Sequence, residues 1–376
     1  MSSWLPFSLV LLGAICSAEA GAQERYEEDP AATDSLRTEQ ARELEFYVSG
    51  LRSDPARRAE VFRPDYSSVR AFQASTRKLR GVLAGALGYP PPGSPPTEPP
   101  EFRRIATDSQ VVYYRFRIAV LPGVHVVGLY LVPAGLHGRA PLVVAMHGGG
   151  GSPEVATFRG GANYHDMVRG AVERGYVVWA PQHLYVVTGL PADIRQRIDT
   201  RARLAGTTIT AIEIAKISRG LDVVLKRPEV DPRRVAMVGL SYGGFYTLMA
   251  TALEPRIRVA VSSCYFSDRA ALLDSTEPFG WSNWRFWRGL QTLTDPDIVA
   301  LICPRPLQVQ VGMQDDLFPV AAADRTAPAA AEHYRRLGLS DRFEYVACDG
   351  GHEWFGEPAW RFLTHHLPVR TRQGAR

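Results

Sequence analysis

Apolar positions along this chain repeat with two periods, and the change between them divides the sequence. From residue 33 to residue 88 the spacing is helical. Leu44, Tyr47, Val48 and Leu51 fall at i, i+3, i+4 and i+7, and Phe72, Leu79, Leu83, Ala86 and Leu87 make a second stripe. Thr33 or Asp34 is suited to cap the first helix, and Gly88 followed by Pro90 to stop the second. The stretch "YPPPGSPPTEPP" at 89–100 can neither continue a helix nor join a central strand, because proline has no N–H to donate. It predicts a stiff connector.

Past the connector the apolar runs become short. "VVYYRFRIAVLPGVHVVGLYLVP" predicts a hairpin around Pro122-Gly123. Strands are then expected at "PLVVAMHG", "YVVWAP", "RVAMVGL", "IRVAVSSC", "PLQVQVG" and "RFEYVAC". Helices are expected at 164–175, 204–226, 242–253, 328–338 and 357–367. Strands buried on both faces that alternate with helices predict an α/β fold: a mostly parallel sheet covered by helices on both faces, preceded by a helical extension. No internal repeat is visible.

The first residues change the organisation of the chain. Leu5 to Ile15 form an apolar run too short to span a bilayer comfortably. Ala18-Glu19-Ala20 or Ala20-Gly21-Ala22 then fits a cleavage site, although no basic residue precedes the run. The expected divisions are a signal peptide over 1–22, a helical extension and connector over 23–100, and the α/β domain over 101–370. This predicts a secreted or periplasmic protein with no stable membrane association after cleavage. The net charge of +4 is modest and the basic residues are scattered, which argues against a nucleic-acid partner. Beyond residue 22 only Cys264, Cys303 and Cys348 remain, with no CxxC pair and no His/Cys cluster, so buried free thiols are expected and no metal site.

Candidate chemistry begins at "VGLSYGG". There Ser241 falls between an expected strand and an expected helix, with Gly239 and Gly243 two residues to either side. A G-x-S-x-G sequence in that context is a nucleophile elbow: side chains at the glycines would collide in so sharp a turn, and the hydroxyl stands above the sheet. A structural serine in a tight turn is the plain alternative. A hydroxyl needs a base, and the base an orienting carboxylate. "GMQDDLFP" supplies Asp315 and Asp316 after one strand, and "CDGGHEW" supplies His352 after the next. Asp315 is preferred as the acid, Asp316 would shape the loop, and Asp268 is a more distant candidate. "AMHGGGGS" follows a strand where oxyanion donors belong. The amide of Tyr242 and one from Gly148 or Gly149 would supply them, with His147 supporting the loop. A phosphate-binding Walker loop is excluded because no G-K-[ST] follows.

On "PLVVAMHGGGG", "GYVVWAP", "LDVVLKRPEVDPRRVAMVGLSYGG" and "DIVALICPRPLQVQVGMQDDLFP", the chain resembles the α/β-hydrolase superfamily. More narrowly, it is similar to the secreted dienelactone-hydrolase and acetyl-xylan-esterase-like group. With His352, the likeness covers most of residues 105–367. It implies Ser241 as nucleophile, Asp315 as orienting acid, His352 as general base, and no cofactor. Dienelactone hydrolases proper carry cysteine at the elbow, so Ser241 favours ordinary ester hydrolysis. The prolyl-peptidase relatives place a β-propeller before this domain, and residues 23–100 are too few and too helical for one.

"EPFGWSNWRFWRG" at 277–289 is dense in aromatic residues where such folds insert lid segments. Trp281, Trp284 and Trp287 would form an apolar acyl pocket or a platform for sugar rings, or else pack against the core as a short helix. Three functions stay open at this point. One is a serine esterase for short-chain esters of small molecules or carbohydrates. The second is a peptidase or amidase on the same triad, and the third a silent hydrolase fold used for binding. The sequence leaves the oligomeric state undetermined.

Overall fold

The computed structural model describes residues 29–50, 55–158, 163–185, 188–269 and 293–369. The expected signal peptide and the Trp281, Trp284 and Trp287 cluster lie outside these residues. The chain divides into two compact units, Met1–Leu51 and Arg52–Arg376.

In the first unit a 3-10 turn, Pro30–Thr33, leads into α1, Asp34–Gly50. Asp29 caps the turn by accepting the Ala31 N–H at 2.9 Å. The helical period of Leu44, Tyr47 and Val48 is realised, but all three side chains are exposed. Among the described residues of its unit α1 has no packed apolar surface to face, so periodicity alone does not bury the stripe.

The second unit begins with α2 (Pro55–Val61), α3 (Val69–Ser75) and α4 (Arg77–Leu87). Here the stripe is buried. Phe72, Leu79, Leu83 and Leu87 share one apolar cluster with Leu142, Val144, Ile217, Leu221 and Met249. Gly88 closes α4 in the left-handed conformation at φ 65°. Arg80 ties the helix down by donating to the carbonyls of Ala252 at 3.0 Å and Leu301 at 2.9 Å. Residues written as an extension therefore belong to the main core from Phe62 onward, through α3 and α4.

Among the described residues nine strands follow: β1 (Glu101–Thr107), β2 (Val111–Leu121), β3 (Val124–Pro133), β4 (Ala140–Met146), β5 (Val177–Pro181), β6 (Val230–Leu240), β7 (Val259–Ser263), β8 (Leu307–Gly312) and β9 (Phe343–Cys348). Their order is β1-β2-β3-β5-β4-β6-β7-β8-β9. The first three pair antiparallel, β3 pairs antiparallel with β5, and β4 to β9 run parallel. Every residue of β4, β5, β7 and β8 is buried, as a strand covered on both faces requires. Alternate residues of β4 serve opposite faces. Leu142 and Val144 join the cluster just named, while Val143 and Ala145 join a second one with Met167, Ala171, Phe362 and Leu363.

The remaining helices among the described residues are α5 (Pro153–Phe158), α6 (Met167–Glu173), α7 (Ile194–Leu204), α8 (Ile209–Val224), α9 (Tyr242–Leu253), α10 (Asp295–Ile302), α11 (Val320–Arg336) and α12 (Gly356–His366). The helix expected at 204–226 is α8, which starts only at Ile209: Gly206 sits at φ 80°, and Thr208 caps the helix by accepting the Ala211 N–H at 3.0 Å. The helix expected from Pro328 begins eight residues earlier and runs through that proline, because Ala322, Ala323, Ala327 and Ala330 form one continuous buried stripe. Strand β1 and helices α5, α7 and α10 were not expected from the pattern. Cys264, Cys303 and Cys348 are free thiols. Among the described residues no helix is long and apolar enough to cross a membrane.

Candidate active site

Parallel strands point their carboxyl ends to one edge of the sheet, where α/β folds place their sites. Ser241 follows β6 there, His147 follows β4, Asp315 follows β8 and His352 follows β9.

Ser241 turns the chain from β6 into α9 at φ 59° and ψ −117°, a strained conformation for a residue with a side chain. Its N–H donates to the Ser263 carbonyl at 2.9 Å, and its own carbonyl accepts the Phe245 N–H at 2.9 Å. Packing explains the glycines. A Cβ at Gly239 would stand 2.3 Å from the Gly243 backbone, and one at Gly243 would stand 2.0 Å from the Met146 carbonyl oxygen. The side chain at 241 is thus presented by a turn that no bulkier neighbours would allow.

The acid and the imidazole meet across two loops. His352 Nδ1–H donates to Asp315 Oδ2 at 2.8 Å. The other carboxylate oxygen, Oδ1, accepts the N–H groups of Leu317 at 2.9 Å and Phe318 at 3.0 Å. These bonds fix the carboxylate, and the first fixes the imidazole tautomer so that Nε2 carries the lone pair. Phe318 stacks on the imidazole, with ring centroids 5.7 Å apart. Of the two aspartates, Asp315 is buried, while Asp316 is exposed. Asp268 instead faces Arg325 at 3.4 Å. His365 and His366 sit on α12, away from the parallel strand ends.

Ser263 joins the serine turn to the histidine loop. Its carbonyl holds the Ser241 amide, and its Oγ donates to the Glu353 carbonyl at 3.0 Å. Cys264, next along, occupies the left-handed region at φ 51° and lies 3.3 Å from the same carbonyl. Burial, then the nearby Asp315 carboxylate, push its thiol up to about 12, so it stays protonated. Ligand atoms of Cys264, Asp315 and His352 lie within 4.8 Å of one another. The imidazole–carboxylate hydrogen bond already uses two of them, which argues for proton chemistry over metal binding.

The glycine loop requires one correction. Gly148 was expected as a possible oxyanion donor, but its N–H donates to Tyr164 Oη at 2.8 Å. The Gly149 amide makes no hydrogen bond among the described residues. Tyr242 is the first residue of α9, where the helix dipole favours negative charge. His147 supports the loop as anticipated, with Nδ1–H donating to the Gly148 carbonyl at 2.8 Å.

Several participants escaped the sequence reading. His183 stacks on His147 with centroids 4.0 Å apart and donates from Nε2 to the His147 carbonyl at 2.8 Å. Burial pushes His147 well down, and burial followed by the Arg195 charge pushes His183 down to about 3, so both rings are neutral. Below them Glu213 accepts the Leu184 N–H at 3.0 Å and pairs with Lys216 at 2.6 Å. Buried Arg195 donates to the Leu184 carbonyl and to Tyr246 Oη, 5.1 Å from the Tyr242 ring centroid. A charged residue at a buried position of α8 and a histidine directly after β5 were the available signals.

Comparison with known proteins agrees with this architecture. Residues 212–298 match the prolyl oligopeptidase family, a stretch that includes the Ser241 turn. The chain is 27% identical over 150 residues to the Bacillus subtilis (strain 168) protein YtaP, which is named as a hydrolase. That match takes in 40% of this chain and spans half the length of YtaP. Among solved structures, Methylesterase BT1017 superposes with a TM-score of 0.64 at 17% identity, over 85% of this chain and 70% of that one. A Bacteroides fragilis protein described as an acetyl xylan esterase gives 0.60 at 16% identity, over 85% and 89%. Acetyl Xylan Esterase 1 from Thermoanaerobacterium sp. JW/SL YS485 gives 0.51 at 20% identity, over 77% and 93%. The chain has the α/β-hydrolase fold.

Proposed function

We propose that this protein is an exported serine ester hydrolase acting on short-chain, acetyl-type esters, including esters of carbohydrates. The observation that carries the reading is the His352–Asp315 hydrogen bond on loops tied through Ser263 to the strained Ser241 turn. The names of the structural neighbours, acetyl xylan esterases and a methylesterase, support the choice of ester over amide. The apolar run Leu5–Ile15 supports export.

The reaction is acyl transfer in two steps. His352 Nε2 takes the Ser241 proton as Oγ attacks the ester carbonyl. The amides of Gly149 and Tyr242 receive the oxyanion. The intermediate collapses to an acyl-enzyme as His352 protonates the departing alcohol. Water, deprotonated by His352, then attacks the acyl carbon, and His352 returns the proton to Ser241 Oγ as the bond to the acyl group breaks and the acid leaves. Asp315 holds the imidazole and stabilises its cation throughout, and the mechanism calls on no cofactor.

A second reading, a serine peptidase or amidase, is favoured by the prolyl oligopeptidase family match. Rates on p-nitrophenyl acetate, longer p-nitrophenyl esters and peptide anilides separate the two. The esterase reading expects turnover of the acetate and none of the anilides; the opposite ranking sinks it. Fluorophosphonate labelling at Ser241 tests the catalytically silent alternative, and acetylated oligosaccharides test the carbohydrate substrate.

A further inference from the structure

Between the glycine loop and the histidine loop lies the short turn Asn163–Asp166, and it bonds to both. Toward the glycine loop, Tyr164 Oη accepts the Gly148 N–H at 2.8 Å. The same hydroxyl stands 2.1 Å from where a Cβ at Gly151 would be, so glycine at 151 makes room for it. Toward the histidine loop, Asn163 Nδ2 donates to the His352 carbonyl at 3.1 Å. The Asn163 carbonyl accepts the Trp354 N–H at 2.7 Å. The His165 ring pairs with the Glu353 carboxylate.

Three consecutive residues thus grip residues 352–354 on one side and residue 148 on the other. The backbone that allows this is unusual. His165 and Asp166 both have positive φ, 44° and 55°, which residues with side chains adopt only when their surroundings enforce it. Tyr164 is buried, whereas Asn163 and His165 are exposed, so one turn faces the interior with one side chain and the histidine loop with its neighbours.

We propose that Asn163, Tyr164 and His165 are positioning residues for the acyl transfer described above, forming one brace that sets the oxyanion loop and the base loop relative to each other. The inference rests on that reading of Ser241 and His352. Tyr164 fixes the Gly148 peptide, and so aims the next amide, that of Gly149, at the oxyanion. Asn163 and His165 fix the backbone that carries the imidazole. None of the three touches substrate.

Steady-state kinetics on p-nitrophenyl acetate test the brace, with the full chain and the variants Ser241→Ala, Tyr164→Phe, Asn163→Ala and Tyr164→Phe/Asn163→Ala, each with a melting curve. Tyr164→Phe keeps the ring and loses one hydroxyl. Its kcat is expected to fall about 10- to 100-fold, with KM within about twofold and an unchanged melting transition. Asn163→Ala alters an exposed side chain and is expected to lower kcat about 3- to 10-fold. Because one turn carries both effects, the double variant is expected to lose less than the product of the single losses. Wild-type kcat in Tyr164→Phe, losses confined to KM, or multiplicative losses would each overturn the brace. Should Tyr164→Phe fail to fold, a wild-type kcat in Asn163→Ala overturns it instead. Full turnover in Ser241→Ala is a different result: it removes the nucleophile assignment, and the brace with it.

Discussion

The two halves of the site are held by opposite means. Around Ser241, geometry is enforced by exclusion. The turn is buried, a side chain at Gly243 would overlap the Met146 carbonyl, and two neutral imidazoles stack beneath the adjoining loop. Around Asp315 and His352, geometry is enforced by hydrogen bonds between loops whose flanks, Met313, Asp316 and Leu317, are exposed. Two glycines make tight approaches there: a Cβ at Gly312 would stand 2.0 Å from the Gly351 carbonyl oxygen, and one at Gly350 2.4 Å from Glu353 Oε1. Exclusion between near neighbours, as between Gly239 and Gly243, leaves a motif in the sequence. Hydrogen bonding between distant loops leaves only residue types and their order. The first half should therefore tolerate no added atom, and the second should tolerate changes that spare the carboxylate–imidazole bond.

The largest expected effect tests whether the excluded half does the chemistry at all. Ser241→Ala should fold normally and lose activity by about 10⁴- to 10⁶-fold, measured as kcat on p-nitrophenyl acetate. Near-wild-type turnover would refute the assignment. Asp315→Asn probes the bonded half. It keeps the shape and disturbs the imidazole tautomer, so a loss of about 10³- to 10⁴-fold is expected, while Asp316→Asn should stay within about threefold. Equal effects of the two would mean that the buried carboxylate is not the orienting one.

Stability gives a sharper contrast. Gly243→Ala has no space for its methyl group and should destabilise the fold by at least about 2 kcal/mol in urea unfolding. An unperturbed midpoint would show that the turn relaxes and that exclusion is not what holds it. The buried imidazoles give a pH signature. His183 is depressed to about 3 from its ordinary 6.5, so between those values the unfolded chain binds a proton that the folded chain refuses. Stability should be fully present above about 6.5 and fall as the pH drops toward 3, and His183→Gln should flatten the slope of melting temperature against pH. Parallel slopes in the two proteins would remove His183 from that role. The smallest effect is expected at Gln314, whose amide donates to Asp349 on the exposed surface of the bonded half at 2.8 Å. Gln314→Ala should cost under about 1 kcal/mol and leave kcat within about threefold.

The sequence by itself determined what depends on neighbours along the chain. The strand-turn-helix around Ser241, the buried strands of the parallel sheet, the Gly88 stop and the order of serine, acid and histidine were all legible, because each follows from local sterics or periodicity. The tertiary structure decided what depends on residues far apart. It buried the stripe of α4 while leaving that of α1 exposed, and it buried Asp315 while leaving Asp316 exposed. It gave the Gly148 amide to Tyr164 and joined two loops through residues 163–166. A side chain's own spacing fixes which way it points. Only the assembled sheet fixes what it meets there, since a hydrogen bond across 189 positions has no counterpart in any local pattern.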